Sequence, residues 1–240
     1  MSEAKDAILS RVREALQDRP VPEPVARGYR RESLRDSDAV VEQLVDRLED
    51  YKAAVFREDL ATVADRVDAL LRQARAYVVP PGLDEAWLPG DACVSAASEL
   101  VSEDAGESPR EAALPEREGR WRITEPTAGD RGALEVRVLN AVDAVVTSST
   151  VSCSETGTIF LSGRPDEGRR AISLVPDHHV CIVPLDTVVE LVPEALARLE
   201  PTAAITMISG PSATSDIELE RVEGVHGPRR LDVILLDRGR

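Results

Sequence analysis

Residues 143–163, DAVVTSSTVSCSETGTIFLSG, combine two short apolar runs with a dense group of small hydroxyl side chains. The run Asp143–Val146 predicts a β-strand, and the run Ile159–Leu161 predicts a second one. Between them we expect a loop in which backbone N–H groups and hydroxyls approach a ligand closely, because no bulky side chain intervenes. The alternative is a tightly packed turn whose hydroxyls bond the backbone.

One carboxylate, Glu155, stands in the middle of this stretch, directly before Thr156 and Gly157. A carboxylate among hydroxyl and backbone donors could attack an activated carbonyl or shuttle a proton, so Glu155 is the candidate catalytic residue. The alternative is an acid that caps the turn. The candidate ligand contacts of the same stretch are Thr147, Ser148, Thr156 and Gly157.

Helical and strand patterns alternate along much of the chain. Predicted helices at 37–51 and 59–72 alternate with predicted strands at 53–56 and 76–79. The apolar run 231–236 is typical of a strand that is buried on both faces. This rhythm predicts an α/β fold with a mostly parallel sheet flanked by helices.

The remaining pattern predicts three domain features. Residues 1–28 are expected to form an N-terminal helix and a proline-rich linker. The helix is expected either to pack as an arm on a partner subunit or to fold back on its own domain. Residues 29–240 are expected to form the α/β domain, with a polar, aperiodic surface insertion at 102–119. Further strands are predicted at 92–95, 121–124 (as a sheet edge), 171–175, 180–183 and 203–208, and further helices at 127–140, 186–199 and 217–223.

Composition excludes several function classes. The formal net charge of -15 repels nucleic-acid phosphates and anionic membranes. Three scattered cysteines with no CxxC pattern argue for a reducing compartment and against an iron–sulfur cluster in this chain. No apolar run approaches the roughly 20 residues that span a bilayer. We therefore expect a cytoplasmic protein. Whether it forms a homo-oligomer stays open.

A second candidate site follows the predicted strand 203–208, in the sequence SGPSATSD. A strand, a Gly/Ser turn and a helix start would offer free N–H groups to an anion. The stretch lacks the GxxxxGK[ST] pattern of a P-loop, and its alternative role is to cap the following helix. Its candidate ligand contacts are Ser209, Gly210, Ser212, Thr214 and Asp216.

The three histidines and a set of arginines complete the candidates. His226, before Gly227 in a tight turn, could donate a proton or contact a ligand; the alternative is a turn histidine bonded to backbone. His178 and His179 precede Cys181, but neighbouring residues of an extended segment point to opposite faces, so no metal site is expected. Five arginines could gather into an anion site or lie solvated at the surface: Arg164, Arg169, Arg170, Arg229 and Arg230.

Three stretches in order resemble the lactate-utilisation (LUD) domain family. They are DAVVTSSTVSCSETGTIFLSG, RRAISLVPDHHVCIVP and ISGPSATSDIELERVEGVHGPRRLDVILLD. Together they are more specific than any one alone. The resemblance is dense from Asp143 to Asp237, looser in the N-terminal half, and absent from residues 102–119.

The resemblance implies a fold similar to ribose-5-phosphate isomerase, coenzyme A transferases and 5-formyltetrahydrofolate cyclo-ligase. It implies a cluster-free subunit that acts beside two iron–sulfur partner proteins, in a system that oxidises L-lactate to pyruvate and allows growth on lactate. No cofactor is then expected in this chain. Glu155 is similar to the nucleophilic glutamate of coenzyme A transferases. Two alternatives stay open: a stand-alone acyl- or coenzyme A-transferase-like enzyme that uses Glu155, and a non-catalytic scaffold that binds a small carboxylate or acyl ligand.

Overall fold

The computed structural model describes residues 3–17, 24–94, 114, 118–126, 133–214, 222–223 and 227–239. The chain divides into two compact units, Met1–Arg30 and Arg31–Arg240. The first unit contains helix α1 (Glu3–Ala15), which matches the helix predicted at the N-terminus. The predicted insertion at 102–119 lies outside the described residues except for positions 114, 118 and 119.

The second unit contains the sheet elements and their covering helices. The helices are α2 (Ser37–Asp50), α3 (Val63–Leu70), α4 (Val136–Ala141), α5 (Arg170–Leu174) and α6 (Val192–Ala197), with 3-10 turns at Glu85–Trp87 and Leu185–Thr187. The strands are β1 (Ala54–Asp59), β2 (Ala76–Val79), β3 (Ala92–Val94), β4 (Trp121–Thr124), β5 (Ala144–Thr147), β6 (Val151–Cys153), β7 (Thr158–Leu161), β8 (His178–Pro184), β9 (Val188–Val189), β10 (Thr206–Ile208), β11 (Ala213–Thr214), β12 (Val222–Glu223) and β13 (Arg230–Asp237). Among the described residues, no helix is long and apolar enough to cross a membrane.

A seven-stranded parallel sheet is the centre of the fold. Within the described part of the chain its strand order is β1-β13-β8-β5-β2-β4-β3, and every neighbouring pair is parallel. This confirms the predicted α/β class with a mostly parallel sheet. A smaller sheet of order β10-β7-β6-β9 and a ribbon of β11 and β12 accompany it.

Both faces of the large sheet are covered, which explains why its strands are apolar along their length. Val63 and Val67 of α3 pack in one hydrophobic cluster with Val180 of β8. On the other face, Leu44 of α2 and Ile159 of β7 pack in a cluster with alternate residues of β8 and β13. The smaller sheet and α2 therefore share one face of the large sheet, and α3 lies on the other.

Two predicted elements differ from the structure in type. The predicted strand at 171–175 is wrong: these residues belong to α5, where Ile172 packs beside Val138 and Leu139 of α4. The predicted helix 186–199 begins only at Val192, because a 3-10 turn and the short strand β9 precede it. β9 pairs in parallel with β6, so hydrogen bonds to a distant strand replace the local helical bonds.

Two further predictions are corrected by strand pairing. The sequence predicts residues 121–124 as an edge strand, but β4 lies between β2 and β3, and β3 forms the edge. The predicted helix 217–223 ends in residues that form β12 and pair with β11. Residues 217–221 lie outside the described residues.

Candidate functional site

The hydroxyl-rich stretch runs from β5 of the large sheet into β6 and β7 of the smaller sheet, and does not form the open loop that its composition predicts. β6 and β7 pair as an antiparallel hairpin, and its turn contains Ser154–Gly157. Thr147, Ser148, Ser149 and Ser152 are all buried. The stretch is packed, as the alternative predicts, but these hydroxyls do not satisfy the backbone: Thr147 Oγ1 bonds His179, and Ser149 Oγ and Ser152 Oγ have no hydrogen-bond partner among the described residues.

Glu155 lies in the hairpin turn, and its side chain is exposed. Its backbone N–H donates to the carbonyl oxygen of Glu190 at 3.0 Å. Two residues later, Gly157 has φ 59, and a Cβ there would lie 2.7 Å from Cβ of Arg47. The turn is therefore pressed against α2, a close approach that glycine permits.

Hydroxyl contacts join this turn to the second predicted site. Thr156 Oγ1 lies 2.7 Å from Thr158 Oγ1, and Thr158 Oγ1 lies 2.9 Å from Ser209 Oγ. Strand pairing brings the segments together, because β10, which ends at Ile208, is antiparallel to β7. Two candidate regions that are far apart in sequence are thus adjacent in the fold.

The bend after β10 depends on Gly210. Its φ of 84 lies in the left-handed region, and an added Cβ would lie 2.6 Å from Cβ and 2.9 Å from the carbonyl oxygen of Tyr51. The backbone N–H of Ser212 donates to the carbonyl of Pro228 at 2.8 Å, so the bend is also tied to the segment before β13. The close packing of Gly210 against Tyr51 and the hydrogen bond from Ser212 to Pro228 hold Ser209 and Ser212 in place.

Replacing Gly210 with alanine is expected to destabilise the fold by about 2 kcal/mol, because strained φ and a backbone clash act together. The free energy of unfolding in urea measures the effect. Gly90→Ala is the matched control, since Gly90 has no atom within 4 Å of an added Cβ and no positive φ. Equal stability of the two variants would contradict this account of the bend.

A cavity of about 430 Å³ opens beside this bend. That volume lies in the range of small-molecule sites. Its walls come from α5, from the first residues of β8 and β13, from β10 with its following bend, and from the Gly227–Pro228 segment. The lining residues are Arg170, Ser173, Leu174, His179, residues 205–212, Gly227, Pro228 and Leu231.

The structure brings some of the predicted ligand contacts together around this cavity and leaves others away from it. Ser209, Gly210, Ser212 and Gly227 line it, and Thr147 lies behind its wall, bonded to His179. The other described candidates do not line it: Ser148, Glu155, Thr156 and Gly157. Thr214 is described as part of β11, and Asp216 and His226 lie outside the described residues. That these residues bind a ligand stays a prediction.

The cavity also has four polar lining side chains that the sequence-based list of ligand contacts omits: Arg170, Ser173, His179 and Thr206. Arg170 is one of the five candidate arginines, but Ser173 is not predicted, because a strand at 171–175 hides that residues three apart share a helical face. Ser173 Oγ donates to the carbonyl of Arg170 at 3.1 Å. The sequence signal for Arg170 is the pair of arginines, Arg169 and Arg170, that precedes the predicted strand.

The five arginines do not gather into one anion site. Arg169 pairs with the buried Glu125 at 2.5 Å, and Arg230 pairs with Asp232 at 2.7 Å. Arg164 and Arg229 likewise face neighbouring aspartates. Arg170, with no carboxylate partner among the described residues, is the member of the set that reaches the cavity.

His179 is one of the buried polar residues of the cavity wall, with Ser173 and Thr206. Its side chain is almost fully buried, and this burial, with a smaller effect of His178, lowers the pKa of the imidazole to about 3. Nε2 lies 2.8 Å from Thr147 Oγ1, whereas Nδ1 has no hydrogen-bond partner in the described structure. The imidazole is therefore neutral at physiological pH.

The two adjacent histidines point to different partners, as the strand geometry predicts. Nε2 of His178 lies 2.8 Å from Asp232, whereas His179 bonds Thr147. Within the described ranges, no group of three or more His, Cys, Asp or Glu side chains is arranged to hold a metal ion.

A buried carboxylate, Glu167, lies near the carboxyl end of β5. It accepts hydrogen bonds from Thr150 Oγ1, from the backbone N–H of Ser162 at 2.6 Å and from that of Arg164 at 3.1 Å. Burial raises its pKa above the usual range, although these three donors pull the other way. The group holds the loop after β7 in place.

Residues 41–236 match the model of a family described as the LUD domain. The chain is 36% identical to lactate utilization protein C of Deinococcus radiodurans over 227 residues, which cover 93% of this chain and 87% of that protein. It is 31% identical to lactate utilization protein C of Bacillus subtilis over 115 residues, 45% of this chain and 48% of that protein.

One solved structure is similar over most of the fold. It is the crystal structure of a DUF162 family protein from Deinococcus radiodurans, with a TM-score of 0.60 and 29% sequence identity. The match covers 84% of this chain and 99% of that one.

Proposed function

Because the chain belongs to the LUD domain family, we propose that it takes part in lactate utilisation, as a subunit of a system that oxidises L-lactate to pyruvate. The supporting observation is its 36% identity to a lactate utilization protein C across 93% of the chain. A likeness that spans nearly the whole of both proteins supports a shared role better than a match to one segment does.

In this proposal the chain carries no iron–sulfur cluster, and two partner subunits supply the clusters. The support is chemical, since clusters are held by several cysteine thiolates at close spacing. This chain has three cysteines; Cys153 and Cys181 are buried on different strands, and Cys93 is exposed on β3. Electron transfer would then pass through the partners in the cytoplasm, and this chain would bind a small molecule in the cavity beside Gly210.

The cavity supports binding better than covalent acyl transfer by Glu155. That carboxylate is exposed in the hairpin turn and is not part of the cavity lining, whereas a nucleophile must lie within reach of its substrate. We therefore assign the small-molecule role to the cavity wall and propose no covalent step at Glu155.

Deleting the gene is expected to abolish growth on L-lactate as sole carbon source, because oxidation to pyruvate is the entry step. Growth on pyruvate is the control and should be unchanged. Supplying the wild-type chain from a plasmid should restore growth on lactate. Normal growth of the deletion strain on lactate, in a background with no second lactate oxidase, would contradict the proposal.

A further inference from the structure

We propose that the cavity binds a carboxylate that also carries a peptide-type amide, the chemistry shared by N-acylated amino acids and by the carboxyl end of a peptide. The amide pairs with the outer edge of β10 at Met207, and the carboxylate contacts Arg170. This inference rests on the proposal that the cavity binds a small molecule, and it names the chemical class of that ligand.

The cavity follows the outer edge of β10. In the described part of the chain, β10 is the last strand of the smaller sheet, and β7 is its neighbour. All three residues of β10 line the cavity, whereas no residue of β7 does. A cavity beneath one face of this sheet would be lined by both strands. A cavity lined by the whole of the last strand and by none of its neighbour lies along the edge of that strand.

The pairing of β7 shows which backbone groups of β10 face this edge. The carbonyl oxygen of Phe160 accepts from the N–H of Thr150 at 3.0 Å, on the side of β6, so the Phe160 backbone points away from β10. Met207 lies opposite Phe160, at a position where antiparallel strands exchange no hydrogen bonds. The N–H and C=O of Met207 therefore point away from β7, toward the cavity.

A donor and an acceptor on one residue of a strand edge match an amide. In an antiparallel ladder, two residues of a hydrogen-bonded pair exchange both bonds. A ligand that presents an amide N–H and a carbonyl oxygen can therefore pair with Met207 as an added strand does. A ligand without an N–H leaves the Met207 carbonyl oxygen without a donor.

The charge of the wall selects the carboxylate. Among the described residues that line the cavity, Arg170 has the only formally charged side chain, and no aspartate or glutamate lines it. A guanidinium presents a planar pair of donors that matches a carboxylate. A carboxylate in this cavity thus meets one opposite charge and no like charge from the described wall.

The apolar part of the wall selects the side chain of the ligand. Leu174, Ile205 and Leu231 line the cavity, whose volume is about 430 Å³. Burial of additional methyl and methylene groups against these residues favours binding. N-acetyl-L-leucine is therefore expected to bind at least about fivefold more tightly than N-acetyl-L-alanine.

Titration calorimetry on the full chain tests the amide contact with a matched pair of probes, N-acetyl-L-alanine and O-acetyl-L-lactate. The two have the same charge and nearly the same shape, but the second has an ester oxygen in place of the amide N–H. N-acetyl-L-alanine is expected to bind about tenfold more tightly, because the ester cannot donate to Met207. Equal affinities would overturn the pairing with the strand edge, and this comparison needs no variant.

Two variants of Met207 test the same contact from the side of the protein. Met207→Pro removes the N–H, and because that group is not bonded to β7, the sheet loses no hydrogen bond; edge strands accept proline. Its binding of N-acetyl-L-leucine should weaken by at least about tenfold. Met207→Ala keeps the backbone and truncates a side chain that is 66% exposed, so it should bind nearly as the wild type does. Undiminished binding by Met207→Pro would refute the contact.

Two arginine variants test the carboxylate contact. Arg170→Gln is expected to weaken binding of N-acetyl-L-leucine by at least about tenfold, because a charge-assisted pair is lost. Arg164→Gln removes a charge from an exposed arginine outside the cavity lining and should bind as the wild type does. Equal affinities of these two variants would contradict the assignment of Arg170.

A longer peptide that ends in leucine distinguishes the two sources of this chemistry. Binding as tight as that of N-acetyl-L-leucine would identify the carboxyl end of a peptide as the ligand, and loss of binding would identify a free N-acylated amino acid. Failure of both probes to bind would overturn the ligand class. If a lactate-growth defect accompanies that failure, the proposed function stands; if binding is found without a growth defect, the site stands and the proposed function fails.

Discussion

Acidification from pH 7 to pH 5 is expected to remove about 2 kcal/mol of unfolding free energy from the wild-type protein through His179 alone. Burial holds the pKa of this imidazole at about 3, whereas an unfolded histidine titrates near its ordinary value of about 6.5. Between these values the unfolded chain binds a proton that the folded chain does not. The stabilising contribution is therefore complete above about pH 6.5 and is lost at about 1.4 kcal/mol per pH unit as the pH falls.

Urea unfolding at a series of pH values, on the wild type and on His179→Gln, measures this effect. The difference between the two curves isolates His179, because Asp232, Glu125 and Glu167 titrate in both proteins. Thr147→Val is the control: it removes the hydrogen bond but keeps the ring buried, so it should lower stability while retaining the wild-type slope. Parallel curves for the wild type and His179→Gln would refute the assignment of the slope to this ring.

Replacing Glu167 with alanine is expected to destabilise the protein by about 3 kcal/mol, one of the largest single-residue effects that we foresee. The alanine leaves two backbone N–H groups, of Ser162 and Arg164, without their acceptor. Glu167→Gln keeps one acceptor oxygen for both N–H groups, and its amide N–H can donate to Thr150 Oγ1. Its expected cost at neutral pH is therefore about 1 kcal/mol or less, because it also removes a buried charge.

The pH dependence of the same variants separates charge from hydrogen bonding. The folded-state pKa of Glu167 is raised, so its contribution to stability is complete below the unfolded value and is lost as the pH rises through the folded value. The advantage of the wild type over Glu167→Gln should thus shrink as the pH rises above the unfolded value of about 4.3. Glu49→Ala, on an exposed position of α2, should stay within about 0.5 kcal/mol of the wild type. Equal damage from Gln and Ala at Glu167 would contradict the proposed hydrogen-bond role.

The parallel sheet could be predicted because its signals are local. The apolar run 231–236 lies inside β13, and the predicted strand 76–79 coincides with β2. A buried parallel strand leaves a continuous apolar run in the sequence, and the helices between such strands leave a periodic one. The alternation of these patterns was sufficient to establish the fold class.

The α5 segment shows where local signals fail. Its sequence RAISL is short and apolar, and a run of five residues does not distinguish a buried helix from a strand. The contact of Ile172 with α4 residues belongs to tertiary packing. The wrong assignment also hid the face on which Arg170 and Ser173 reach the cavity.

Only part of the candidate site could be predicted, because only some of its residues belong to local sequence patterns. Ser209, Gly210 and Gly227 were identified because a glycine- or serine-rich bend beside a strand is visible in the sequence, and all three line the cavity. For His179 the sequence predicts only that it does not bind a metal together with His178. Nothing in the neighbouring sequence indicates that the His179 ring is buried from solvent or that its Nδ1 lacks a hydrogen-bond partner.

By itself, the sequence determined the α/β class, the location of the main strands and the family to which the chain belongs, because each follows from patterns within short segments. Only the tertiary structure decided that Glu155 is exposed in a turn, that Thr147 bonds His179, and that Arg170 shares a cavity with the bend at Gly210. The physical reason is that burial and cavity walls are made by contacts between residues far apart in the chain. The pairing of β10 with β7 and of β8 with β5 and β13 sets those contacts.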